Sequence, residues 1–374
     1  MHKIELSYAL TRLRREAGIR NPLIELLQAV RRDGSISGAA RALGQSYRHV
    51  WGELKRWEAE LGHGLIVWDK GQPARLTTFG EKLLWAERQA QARLAPQIEA
   101  LHADLERAFA VAFDDAAQVL TLYASHDDAL ALLRDHAAGS ARLHLDVRFT
   151  GSVDAIAALN EGRCTMAGFH TPPQPAPDSA FERAYHPLLQ PGLHKIIGFA
   201  RRRQGLAVAP GNPLRLASFA DLARGARFVN RALGTGTRLL AEELLDRAGL
   251  APATIDGWDR VESSHAAVAQ AVASGSADAG LVIEAAARAR GLDFVPLIDE
   301  DYYLVCLKSL LEQAPVQALR QVLAGSAWQD LLRSLPGYVP LRSGEVLSLS
   351  AQLPWWRYAK AKARAKRKLE PGAG

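Results

Sequence analysis

Cysteine is nearly missing from this chain. Among 374 residues only Cys164 and Cys306 occur, far apart and outside any Cys-x-x-Cys or Cys/His cluster, so buried free thiols are expected rather than a zinc site or a redox pair. No segment approaches ~18 uninterrupted apolar residues, which argues against a membrane-spanning helix. The first residues mix charge throughout and hold no apolar core of signal-peptide length, so a cytoplasmic protein with no membrane partner is expected. Gly-x-Ser-x-Gly and His-Glu-x-x-His are absent, and the adjacent Ser125, His126 and Asp127 diverge too far in direction to form a relay, so no enzyme is expected. Gly234-Thr235-Gly236-Thr237 lacks both the third glycine of a dinucleotide fingerprint and the lysine of a phosphate loop. That excludes NAD and ATP, and neither metal nor cofactor is expected.

What is present begins with charge and its placement. Lys and Arg number 46 against 40 Asp and Glu, a net charge of +6, which is compatible with nucleic acid without requiring it. Arginines crowd residues 12–32, and Arg357 to Lys368 forms a basic run without an acid, read as a solvated tail over 345–374.

Ser35 to Trp57 reads as two short helices joined by a tight turn. Ile36, Ala39, Ala40 and Leu43 recur at helical spacing, Gly44 stops the helix, and Val50, Trp51 and Leu54 resume the pattern. Pro22 opens a preceding helix with the stripe Leu23, Leu26, Leu27 and Val30. Gln45, Ser46, Tyr47, Arg48, His49 and Lys55 occupy the polar face of the second helix, where donors and cations near the N-terminus reach base edges in the major groove. Residues 65–68 and 75–77 form a predicted hairpin, a wing that sets Lys70 and Arg75 against flanking phosphates. Thr78 and Glu81 have capping-box spacing and open a long helix, kinked at Pro96, whose length suggests dimerisation.

From Gln118 onward short apolar runs alternate with amphipathic helices, the pattern of an α/β domain with largely parallel strands. Hydroxyls stand where strands give way to helices: Ser125, Ser152, Thr235 with Gly236 and Thr237, and Ser263 with Ser264. Helix N-termini carry unpaired N–H groups and partial positive charge, and open α/β sheets bind ligands at the carboxyl ends of their strands. Each terminus contributes about 0.3 to 2 kcal/mol, whereas micromolar binding needs about 8 kcal/mol. Hydroxyl and amide donors must supply the remainder. Neutral donors alone would favour a tetrahedral oxyanion; Arg231 or Arg238 inside the pocket would admit carboxylates, although Arg238 has Glu242 four residues on as an alternative partner. His126, His170 and His265 are read as packed or helix-start residues before ligands.

GSISGAARALGQSYRHVW resembles the winged helix-turn-helix of ModE-type molybdenum regulators, and LTTFG resembles LysR-type regulators as well. By that likeness Ser46, Arg48 and His49 face bases and Trp51 belongs to the core. Nothing after residue 115 resembles the small oxyanion-binding domains of ModE-type proteins. RRRQGLAVAPGNPL, FVNRALGTGTR, AVASGSADAGLVIEAAARARGLDFVPL and DEDYYLV instead resemble substrate-binding domains related to periplasmic molybdate-binding proteins, of periplasmic binding protein type 2. That likeness implies a cleft with Ser125 and Ser152 on one lobe, Thr235 and Thr237 on the other, and Tyr302 or Tyr303 near the crossover.

The expected architecture is therefore multidomain: a winged helix-turn-helix over 1–77, a linker and dimerisation helix over 78–115, and a two-lobed α/β effector domain over 118–340. The second lobe is placed at about 197–293. The expected function is a ligand-responsive transcriptional regulator, a homodimer or homotetramer on an inverted-repeat operator in double-stranded DNA. Its effector is expected to be a small oxyanion, molybdate or tungstate before others. The alternatives are a LysR-like regulator sensing a small carboxylate and an architectural DNA-binding protein without a ligand.

Overall fold

The computed structural model describes residues 21–68, 72–114 and 116–356. Lys70, the N-terminal arginines up to Arg20 and the basic run from Arg357 lie outside the described residues.

Three capped helices open the fold: α1 (Pro22–Asp33), α2 (Ile36–Ala42) and α3 (Tyr47–Leu61). The side chains of Asn21, Ser35 and Ser46 accept from Leu23, Gly38 and His49 N–H respectively, each satisfying an otherwise orphaned helix donor. Gly34, Gly44 and Gly62 take the left-handed conformation that ends each helix. Leu23, Leu27, Val30, Ile36, Ala39, Val50, Leu54 and Leu65 bury together as the core of this unit. Strands β1 (Ile66–Val67) and β2 (Arg75–Leu76) pair antiparallel as the wing.

Helix α4 (Thr78–Phe113) follows, with Pro96 inside it. Its cap is Thr77, not the expected Thr78: the Thr77 hydroxyl accepts from Gly80 N at 3.0 Å and donates to Gly64 O at 2.7 Å. The wing decides this, because its return strand delivers Thr77 against the loop that leaves α3.

The remainder is one twisted sheet built from β3 (Gln118–Ala124), β4 (Leu143–Phe149), β5 (Met166–Thr171), β6 (His194–Val208), β7 (Phe228–Arg231), β8 (Val261–Glu262), β9 (Ala279–Ile283), β10 (Asp293–Leu307), β11 (Tyr338–Pro340) and β12 (Val346–Leu347). Its order is β4-β3-β5-β10-β6-β9-β7-β8, with β11 and β12 added to β6. The outer groups β4-β3-β5 and β9-β7-β8 are parallel; β6 and β10, each 15 residues long, run antiparallel to each other and through both lobes. Helices α5 (Asp128–Ala141), α6 (Ser152–Asn160), α7 (Ala180–Tyr185), α8 (Gly236–Arg247), α9 (His265–Ala273), α10 (Glu284–Arg288), α11 (Ala314–Ala324), α12 (Ser326–Arg333) and α13 (Leu349–Gln352) cover its two faces. β5 and β9 are buried along their whole length, as central strands with both faces covered must be.

The lobe boundary differs from the expected position near residue 197. Ile196 and Ile197 pair with β12 and Arg202 with β11, all in the first lobe, whereas Gln204 to Val208 pair with β9 in the second. On the returning strand, Asp301 to Val305 pair with β5, so the chain crosses near 203 and again near 299. Each crossing strand is one continuous 15-residue element, and only its pairing marks the division.

Candidate anion cleft and nucleic-acid interface

The two crossing strands carry matched charge. Arg201, Arg202 and Arg203 on β6 stand opposite Asp301, Glu300 and Asp299 on β10. Strand alternation turns Arg202 inward, fully buried, and leaves Arg201 and Arg203 outside. Arg202 pairs with Asp127 and with Glu300 at 3.0 Å, and Tyr338 donates to Asp127 at 2.9 Å. Burial alone would lower the Arg202 pKa, but the Glu300 and Asp127 carboxylates hold it above its ordinary value. Glu300 is itself raised, because burial outweighs its guanidinium partner.

Around this hub the strand-end loops meet. Ser125 and Ser152 Oγ lie 3.4 Å apart on the first lobe. On the second, Thr237 Oγ1 accepts from Gln204 Nε2 at 3.0 Å and lies 3.4 Å from His265 Nε2. The lobes touch, since Val153 N donates to Gly234 O at 3.3 Å. Two glycines permit that approach. A Cβ on Gly236 would fall 2.4 Å from the His170 ring, and one on Gly151 would fall 2.8 Å from Gly234 O. Tyr302, whose ring lies 5.2 Å from that of His170, is completely buried beside them.

Two expected ligand residues are placed differently. Thr235 turns its hydroxyl onto its own turn, donating to Ala232 O at 2.8 Å and capping Arg238 N. Ser264 caps α9 and donates to Ala92 O on α4 at 3.3 Å, so its hydroxyl faces the linker helix rather than the cleft. Arg238 is likewise committed, to Glu242 at 3.0 Å, to Trp258 O at 3.2 Å and to the Trp258 ring.

Arg231 is the exception. It ends β7 and is 2% exposed, yet its Nε and Nη1 meet no hydrogen-bond partner among the described residues. Burial, with Arg202 nearby adding to the effect, lowers its pKa to about 9, which leaves it charged at neutral pH. Burial and the same two guanidiniums keep His170 and His265 well below the ordinary imidazole value. Each neutral ring then offers one donor and one acceptor. His170 Nδ1 and Nε2, His265 Nδ1, Tyr302 OH, Gln204 Oε1 and Glu300 Oε1 also lack partners among the described residues. Buried polar atoms are normally satisfied, and here several without partners among the described residues are concentrated between two lobes.

The sequence reading passed over Asp127, Arg202, Gln204, Glu300 and Tyr338. For Arg202 and Glu300 the sequence signal was the pairing of RRR with DED, which becomes interpretable only once the two strands are set in register.

At the other end, Gln45, Ser46, Tyr47, Arg48, His49, Lys55 and Arg75 are all exposed. Ser46 spends its hydroxyl on the cap of α3, which limits what it can offer a base. Lys55 pairs with Glu58 at 2.7 Å and lies over the Trp51 ring. Trp51 is only half buried. Tyr47 stacks near it, and the exposed Trp68 meets its ring edge-on at a centroid distance of 6.1 Å, joining recognition helix to wing. Both cysteines are buried free thiols pushed up to about 11 by burial. No described helix is long and apolar enough to cross a membrane.

Residues 134–324 match the PBP superfamily domain, just over half of the chain. The chain belongs to the PBP superfamily. Residues 22–81 match the helix-turn-helix of bacterial regulatory proteins of the lysR family, so a lysR-type helix-turn-helix precedes the PBP-like domain. The uncharacterized protein YvgK of Bacillus subtilis is 31% identical over 202 residues, 54% of this chain and 64% of YvgK. The chain thus spans a little under two thirds of that relative. An uncharacterized Clostridium pasteurianum protein from the 5′ region of a 2Fe-2S ferredoxin gene is 31% identical over 111 residues, 29% of this chain and 98% of its own. Among solved structures, full-length CbnR complexed with its target DNA is 17% identical, covering 80% of this chain and 98% of CbnR at a TM-score of 0.41. A variant of full-length BenM is 16% identical over 85% and 98%, at 0.43.

Proposed function

We propose that the chain is a LysR-type, DNA-binding transcriptional regulator whose PBP-like cleft closes on a small anion held by Arg231. The observation that carries the ligand is that guanidinium: buried, charged and without a protein counter-ion among the described residues, beside loops from both lobes. An anion there relieves an unpaired buried charge, and its binding favours the closed arrangement to the extent that it prefers it over the open one. A planar carboxylate fits a guanidinium fork in bidentate fashion. The unpartnered acceptors Gln204 Oε1 and Glu300 Oε1 further suit a carboxylate that carries its own hydroxyl or amino donor. The second reading is a tetrahedral oxyanion such as molybdate or tungstate, favoured by the hydroxyls of Ser125, Ser152 and Thr237. It would leave those acceptors without a donor.

On the DNA side, Arg48, His49 and Gln45 address bases, with Arg75 on flanking phosphate. A homodimer on an inverted repeat would be joined through α4, where Trp85, Leu94 and Leu101 are exposed. The reading is tested by calorimetry on ligand-free protein with molybdate, tungstate and a panel of small mono- and dicarboxylates, in wild type and Arg231→Gln. One class should bind wild type and lose at least tenfold in the variant. Equal affinity in both proteins removes Arg231 from the site.

A further inference from the structure

Helix α4 does more than connect the two parts of the chain. Pro96 has no N–H, so the helical bond to the carbonyl of Ala92 cannot form, and the proline ring crowds that same carbonyl. Ala92 is 2% exposed, so its oxygen has no recourse to solvent. It receives the Ser264 hydroxyl at 3.3 Å. The adjacent Ser263 donates to Arg93 O at 3.4 Å. Glu262, almost wholly buried at the end of β8, takes Gln89 Nε2 at 3.1 Å and Arg93 in bidentate fashion at 2.7 and 3.0 Å. Three consecutive residues of the second lobe therefore seat on the turn of α4 that the proline breaks.

The first lobe holds the same helix on the other side of Pro96. Glu99 meets His126 Nε2 at 3.2 Å, and Arg107 pairs with Asp146. From Ala92 to Glu99 the axis advances only about 10 Å. Both grips adjoin the cleft: His126 lies between Ser125 and Asp127, and Ser264 precedes His265, which approaches Thr237.

We propose that Glu262 and Ser264 form a latch on the proline-broken turn of α4. Movement of the lobes about β6 and β10 then changes the helix at Pro96, and with it the placement of the DNA-binding unit. Ser264 thus acts as a positioning residue for the coupling, not as a ligand to the effector. The regulatory consequence rests on the proposed DNA-binding function; the latch itself does not, and the two are tested separately.

The latch is tested in the full-length protein by a cycle of Ser264→Ala, Pro96→Ala and the double variant, read by amide hydrogen exchange across α4. Pro96→Ala restores an N–H for the Ala92 carbonyl, so the Ser264 hydroxyl becomes dispensable there. The loss of its cap on α9 is common to both backgrounds and cancels. Ser264→Ala should raise opening of the 89–99 turn about fivefold when Pro96 is present, the worth of one hydrogen bond, and leave it unchanged in the Pro96→Ala background. Equal effects in both backgrounds reduce Ser264 to a helix cap and overturn the latch. Glu262→Gln supplies a second variant that leaves the cap intact, and should raise opening of the same turn. The coupling is read by titrating wild type, Glu262→Gln and Ser264→Ala with a duplex selected by wild type from a random pool. An affinity change of threefold or more supports it. Unchanged affinity with increased exchange shows a latch that transmits nothing and overturns the coupling, whereas wild type selecting no duplex overturns the DNA-binding reading instead.

Discussion

Replacing Arg231 by methionine should make the ligand-free protein more stable. Lowering a guanidinium from its ordinary value to about 9 corresponds to roughly 5 kcal/mol of differential cost for the charged form in the folded state. Relaxation and water entry reduce this; exchanging even a buried ion pair for apolar side chains of similar volume returns up to about 1 to 4 kcal/mol, and an unpaired charge should return at least as much. Arg231→Met should therefore raise the unfolding free energy from urea titration at pH 7 by an amount in that range and abolish binding of the anion. The pH dependence carries a definite sign. Below about 9 the guanidinium is charged in both folded and unfolded chains, and the full cost is present. Between about 9 and the ordinary guanidinium value the unfolded chain binds the additional proton, so wild-type stability rises with pH relative to the variant. The advantage of Arg231→Met should be full at pH 7 to 8 and shrink at pH 10. Equilibrium unfolding of extensively dialysed protein at these pH values measures it. A variant less stable than wild type at pH 7 would mean that Arg231 already has a counter-ion within the protein, and the argument for an anion would fail.

Three further outcomes are expected. Arg202→Ala leaves Asp127 and Glu300 buried without their shared cation and should cost about 3 to 5 kcal/mol in urea unfolding; adding Glu300→Gln should restore part of it. Gly236→Ala drives a methyl into the His170 ring, with an overpacking cost of about 1 to 3 kcal/mol if the lobes stay closed. Small-angle scattering should show a more open domain, and unchanged dimensions with unchanged stability would refute the contact. Arg48→Ala should weaken binding to a selected operator by about 1 to 3 kcal/mol while sparing unrelated duplexes. A uniform loss across sequences would assign Arg48 to phosphate.

The helix-turn-helix was legible because its signals are local. Ser35 and Ser46 cap helices within three residues of themselves, and Gly34 and Gly44 end helices by their own backbone conformation. The cap of α4 was misassigned to Thr78 because two adjacent threonines precede the helix, and only contact with Gly64 selects Thr77. The cleft was partly legible. Hydroxyls at strand ends picked out Ser125, Ser152 and Thr237, which lie near the contact between the lobes, yet the same pattern included Thr235 and Ser264, whose hydroxyls point elsewhere. A helix-start serine looks the same in sequence whether its oxygen faces a ligand, its own turn or another helix.

Period-2 and period-3.6 patterning, with capping residues and the order of apolar runs, carried the order of elements and the division into a helix-turn-helix unit and a two-lobed α/β domain. Those depend on neighbours within a few residues, so the linear chain contains them. Which of three consecutive arginines is buried, which acid faces it across 98 positions, where the lobes divide and why Arg231 meets no counter-ion among the described residues are matters of strand register and lobe closure. Electrostatics acts through space over a few ångströms, and only the folded chain sets those distances.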